Sequence, residues 1–154
     1  MEYLIVKWLH ILSSTFLFGT GIGSAFYMLF ASLSRDVRAI AVVSRYVVLA
    51  DWIFTSSTIV IQPLTGFYLI HLAGYPLGSS WIMWSIGLYF FAGACWLPVV
   101  WMQLRMRDMA IAAARDGGEL PALYWRYLRN WVLLGIPAFF ALVIIFWLMV
   151  AKPA

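Results

Sequence analysis

Apolar residues dominate the chain from Tyr3 to Phe30, and comparable runs recur three more times between short polar interruptions. Each run exceeds the roughly 10 to 14 residues of a buried core helix and reaches the ~20 that a bilayer crossing needs. The pattern predicts helices at about 3–31, 43–72, 80–104 and 124–151, with boundaries good to several residues. No linker, low-complexity tract or internal repeat interrupts them. The expected architecture is therefore all-α: one domain over residues 1–154, a polytopic bundle of four transmembrane helices.

Composition agrees with this pattern. The chain is 65% hydrophobic and 10% charged, with a mean hydropathy of +0.93, too little polar surface to cover a soluble globule. The first run is longer than a signal-peptide core and lacks a basic leading end, so it is expected to stay in the mature protein. All eight arginines fall in two connections, SLSRDVRAIAVVSR (Arg35, Arg38, Arg45) and RMRDMAIAAARDGGELPALYWRYLR (Arg105, Arg107, Arg115, Arg126, Arg129). The turn between the second and third runs, AGYPLGSS, is uncharged. Under the positive-inside rule both termini lie outside and both arginine connections in the cytoplasm, as in a multi-pass protein of a bacterial inner membrane. The basic charge thus reads as a topology signal, and the expected partner is the lipid bilayer, not nucleic acid. A lone cysteine, Cys95, excludes an internal disulfide and a thiolate cluster.

Candidate chemistry lies in the polar residues inside the runs. His10 sits within the first, where an ionisable group needs water, a partner or a function. At about 100° per residue, Ser13, Ser14, Leu17, Gly21 and Ser24 share its face, while Gly19 and Gly23 form a GxxxG on the opposite one. The second run carries Asp51, Thr55, Thr58, Gln62 and Thr65 at steps of four, three, four and three, one continuous polar seam. Threonines can bond their own helix carbonyls, so the seam has a structural reading as well as one as a proton path. Asp51 either pairs with an arginine near Arg45 or titrates. Pro63, Pro98 and Pro137 each free a carbonyl one turn earlier. His71 ends the second run on the same side as His10, and two imidazoles are the minimum for six-coordinate haem. His71 also has a plain interfacial reading.

The Lys7 and His10-Ile11 of the first run, with Arg126, Asn130, Pro137 and the closing VAKP, give the chain a resemblance to a bacterial family of uncharacterised four-helix integral membrane proteins. That family is in turn similar to the HemJ-type protoporphyrinogen oxidases, membrane proteins that bind b-type haem. The resemblance implies His10 as an axial ligand of haem b. HemJ types carry a functional lysine in the third helix, where this chain has none, so the haem is implied more directly than the reaction. The sequence-level expectation is a membrane haem protein exchanging electrons with a quinone or a redox partner protein. Its cofactor contacts would be His10, His71, Ser14 and Gly21, its metal ligands His10 and His71, and its proton path Asp51 to Thr65. Whether it catalyses a reaction as an oxidoreductase is open, as is a homo-oligomer. The alternatives are a cofactor-free membrane subunit or assembly factor, and a small proton-coupled transporter.

Overall fold

A computed structural model describes residues 1–153 as helices joined by tight turns. They are α1 (Glu2–Ser34), α2 (Val37–Ala50), a π-helical turn (Asp51–Thr55), α3 (Ser56–Ala73), α4 (Ser80–Asp116) and α5 (Ala122–Ala151). Because α2, the π turn and α3 run on without a break, they make one rod, and the chain folds as four rods. Three helices, α1, α4 and α5, are individually long and apolar enough to cross a membrane.

Both expected arginine connections turn out to be largely helical. The first shrinks to Arg35 and Asp36: Arg35 closes α1 in a left-handed conformation (φ 58°), and the Asp36 carboxylate accepts the Arg38 and Ala39 amides at 2.9 and 3.2 Å, capping α2. The second rod therefore begins at Val37 rather than near residue 43, and buries Ile40, Ala41, Val47 and Val48. The second connection shrinks to 117–121, because the alanine-rich stretch up to Asp116 prolongs α4 and buries Met106, Ala110 and Ala113. At 37 residues α4 is about 55 Å long, well beyond a hydrocarbon thickness of about 30 Å, so it projects past the bilayer at the arginine end.

The closest packing lies at that end. Met28, Ile40, Met106 and Tyr124 are fully buried there in one cluster with Leu128 and Trp131. Ser32 donates to the Met28 carbonyl at 2.7 Å, which commits its proton, so the Tyr124 hydroxyl donates to Ser32 at 2.7 Å. Within this cluster α2 packs on α4, and beyond it α1 packs on α3 and α4 continues along α5. Toward the chain termini, side chains join the two pairs. Phe18 of α1 meets Phe139 and Phe146 of α5, with ring centroids 5.5 and 5.1 Å away. Tyr89 of α4 donates to the Ile59 carbonyl at 2.6 Å. That carbonyl is the one Pro63, lacking an N–H, leaves without its usual helical donor.

The termini close over the same end. Tyr68 donates to Glu2, Ser80 donates to the Pro153 carbonyl at 3.2 Å, and the Lys152 ammonium donates to Tyr75 at 2.9 Å while lying over the Tyr75 and Trp81 rings. Large apolar side chains such as Trp8, Phe26, Leu64, Phe90, Leu133 and Trp147 stand exposed around the rods. A soluble monomer rarely shows so much apolar surface; in a bilayer it is the lipid contact.

Candidate functional site

The seam of the second rod faces the interior along its length: Asp51, Thr55 and Thr58 are buried, and Gln62 and Thr65 are half-buried. It carries two hydrogen-bonded clusters, one at each end.

Nearer the arginines, Asp51 is 8% exposed and accepts from two side chains. Thr55 donates to Oδ1 at 2.9 Å and Gln103 of α4 donates to Oδ2 at 2.5 Å. Gln103, 3% exposed, in turn accepts from the Trp131 indole of α5 at 3.1 Å. Two donors thus meet the carboxylate, one from its own rod and one from α4, and α5 joins the chain through Gln103. The ion pairs among the described residues, Arg107–Asp108 and Arg115–Asp116, lie elsewhere, so the expected arginine pairing of Asp51 is not formed. Neutral donors take its place because the π turn aims Asp51 at α4, where Gln103 lies. A small cavity of about 60 Å³ adjoins the cluster, bordered by Asp51, Ser56, Gln103, Trp52 and Trp96.

Nearer the termini, His10 of α1 lies against α3. Its Nδ1 is 2.8 Å from the Thr65 hydroxyl and its Nε2 3.1 Å from the Gln62 amide nitrogen. Thr65 gives its own proton to the Ile61 carbonyl at 2.7 Å. The hydroxyl can therefore only accept from the ring, which puts the proton on Nδ1; Nε2 keeps its lone pair and accepts from Gln62. Gly66 makes this approach fit, since a Cβ there would come within 3.2 Å of the imidazole Cε1.

The other expected site residues are placed apart. His71 is exposed and stacked near Tyr68, with centroids 6.5 Å apart, and the structure does not bring it to His10. Ser14 spends its hydroxyl on the Ile11 carbonyl at 2.8 Å. Gly21 is exposed with open space at its Cβ position, and so are the Cβ positions of Gly19 and Gly23, so this GxxxG makes no close helix approach within the chain. Among the described residues no three His, Cys, Asp or Glu side chains converge as a metal cluster would need. Sequence reasoning put Ser13 on the His10 face without a role of its own, and missed Gln103, Trp131 and the bond that Tyr89 makes. Gln103 carried a signal, as an uncharged amide near the end of an apolar run; Trp131 and Tyr89 looked like the many tryptophans and tyrosines around them.

An all-helical bundle with a lipid-facing apolar surface, polar seam inward and arginines at one end defines a polytopic membrane protein. The chain belongs to the family of predicted integral membrane proteins DUF2269, whose pattern matches residues 4–153. No curated protein and no solved structure matches it.

Proposed function

We propose that the protein is a membrane-embedded b-type haem protein, with His10 as axial ligand, that exchanges electrons with a quinone or a redox partner protein. The observation supporting this is the tautomer at His10. Iron-binding imidazoles hold their second nitrogen's proton on a fixed acceptor and present the other lone pair, and Thr65 leaves Nε2 in that state. Gln62 now covers the lone pair, yet its Oε1 is buried without a partner. Turning the amide aside gives up one hydrogen bond and releases that unpaired oxygen, so the donor set fits one axial imidazole. His71 is not offered as the second.

A bound haem supplies one-electron chemistry. The chain's own contribution is to orient the ring through Thr65, admit it against α3 at Gly66 and exclude water. The resemblance to HemJ-type proteins expected from the sequence around His10 leans the same way. From the arginine distribution we place four crossings in a bacterial inner membrane, with the arginine end in the cytoplasm and both termini outside.

The test is spectroscopic. Protein purified in mild detergent from haem-replete cells should be red, with a Soret band that shifts on dithionite reduction and disappears in His10→Ala. A colourless wild type, or a His10→Ala protein that keeps the band, overturns the reading. A cofactor-free subunit or homo-oligomer is the second reading, and what favours it is the open face at Gly19 and Gly23. A colourless protein migrating as a larger assembly would support it.

A further inference from the structure

The Asp51 cluster holds an acid without a counter-charge. Taking a carboxylate out of water is costly unless a cation or a full set of donors meets it. Its two donors, Thr55 and Gln103, are neutral, and each takes one position on one oxygen, so about half of the roughly four lone-pair positions of a carboxylate stay free. The ion pairs among the described residues are made by Asp108 and Asp116. Asp51 also borders the cavity of about 60 Å³ between the second rod and α4, so a cation entering there reaches it. That volume is several times the roughly 10–15 Å³ that one water needs, which leaves room for a compact head of a few heavy atoms.

The wall selects the kind of head. Ser56 gives its proton to the Asp51 carbonyl at 3.2 Å, so its hydroxyl oxygen can only accept. Among the described residues no arginine, lysine or histidine borders the cavity, which disfavours an anion beside Asp51. The rest of the wall is Trp52 and Trp96 with aliphatic side chains such as Val100. A hard inorganic cation needs about six oxygen ligands, more than Asp51, Ser56 and Gln103 supply. An alkylated ammonium asks for what is present: one negative charge, few hydrogen bonds and indole rings beside its methyl groups.

The position of the cavity says where such a ligand comes from. Trp52 is 62% exposed on the surface that lipid covers, so the rim of the cavity meets acyl chains. Arg45 lies six residues, about 9 Å, from Asp51 toward the arginine end, and Arg105 two residues, about 3 Å, beyond Gln103. Both arginines are exposed and outside the wall, Arg105 lying over the Trp101 ring. The cavity therefore sits at the edge of the apolar span, the depth at which an amphiphile keeps its charged head while its tail stays among the lipids.

We propose that this cavity binds the ammonium head of a lipophilic cation entering from the bilayer, with Asp51 as its counter-charge and Trp52 and Trp96 beside its methyl groups. The π turn builds the site, because it aims Asp51 at α4 and sets Trp52, the next residue, at the rim. Binding here uses neither His10 nor a haem.

The probe is radiolabelled decyltrimethylammonium, dialysed to equilibrium against purified full-length protein in an uncharged detergent, with protein-free micelles as the blank. Wild type should bind it saturably, one per chain. Unlabelled decyltrimethylammonium should displace the label, and decyl sulfate and decanol should not. Asp51→Asn, which keeps the shape of the side chain and loses its charge, should weaken binding by about tenfold or more. Trp52→Leu, at an exposed position, should weaken it by about threefold or more. Trp147→Leu, equally exposed but on α5 and outside the wall, should bind like wild type. Absence of saturable binding, displacement by decyl sulfate as strong as by the cation, or wild-type affinity in Asp51→Asn overturns the proposal. If Asp51→Asn does not fold, wild-type affinity in Trp52→Leu does so. A Soret band recorded on the same samples reports on His10 alone, so failure of either reading leaves the other standing.

Discussion

Replacing Tyr89 by phenylalanine removes one hydroxyl and leaves the Ile59 carbonyl, already deprived of its helical donor by Pro63, without its 2.6 Å bond to α4. An unpaired buried backbone oxygen costs about 1–3 kcal/mol, while interhelical hydrogen bonds in membrane proteins average nearer 0.6 kcal/mol because the unfolded chain also finds partners. We expect Tyr89→Phe to cost about 1–1.5 kcal/mol, toward the upper end of that membrane range, because the bond is short and the carbonyl has been freed by proline. Pro63→Ala separates the cause from simple packing: it restores an N–H at position 63 that can bond the same carbonyl. In that background Tyr89→Phe should cost less than about 0.5 kcal/mol, a coupling readable from a double-mutant cycle. Reversible unfolding in mixed detergent micelles, followed by far-UV circular dichroism, gives all four stabilities. Equal costs for Tyr89→Phe in both backgrounds would show that the tyrosine acts by packing and that the proline has no part in it.

At the arginine end, Ser32→Ala should destabilise by about 1–3 kcal/mol and by more than Tyr124→Phe, since it strands a fully buried tyrosine hydroxyl whereas Ser32 keeps its own bond to Met28; the same unfolding assay ranks them. Gln103→Leu should cost more than Trp131→Phe, by about 2 kcal/mol or more, because it strips a donor from buried Asp51 and an acceptor from Trp131 together. Adding Asp51→Leu should recover part of that loss. Deleting Ile53 from the π turn should convert it to plain α-helix and swing Asp51 away from Gln103. The Asp51 carboxyl should then become reactive to a hydrophobic carbodiimide, and unchanged protection would refute the role given to the turn.

The four rods were legible because apolar run length and arginine placement are read directly by a bilayer. The inward seam was legible for a related reason: five polar side chains at helical spacing cannot all face lipid. The bounds at the arginine end were not, since 37–45 and 105–116 carry charge, and charge was read as loop. In fact Arg38, Arg45, Arg105 and Arg107 ride on helices whose other faces bury Ile40, Val47 and Met106. The site was half visible. His10 and the seam stood out, but not that they bond each other, because nothing local to either segment sets the register of α1 against α3. His71, at the end of its run, already had an interfacial reading in sequence, and it is exposed where His10 is half-buried and bonded on both nitrogens.

The π turn explains why one stripe on the second rod addresses two neighbours. On a regular helix the spacing from Asp51 to Thr65 would drift by only about 40°, and both ends would face the same rod. Asp51 instead meets Gln103 of α4, while Gln62 and Thr65 meet His10 of α1. The Ser56 amide reaches back five residues to the Asp51 carbonyl, and a turn one residue wider rotates α2 by about 100° relative to α3. The energetic consequence is that each half of the seam has its polar atoms met by a different helix. The tightly packed arginine end fixes Asp51 among donors, and the end joined by side chains leaves His10 with one amide over its lone pair. A rigid carboxylate and a displaceable cap on an imidazole are different tools, and the bulge lets a single helix hold both.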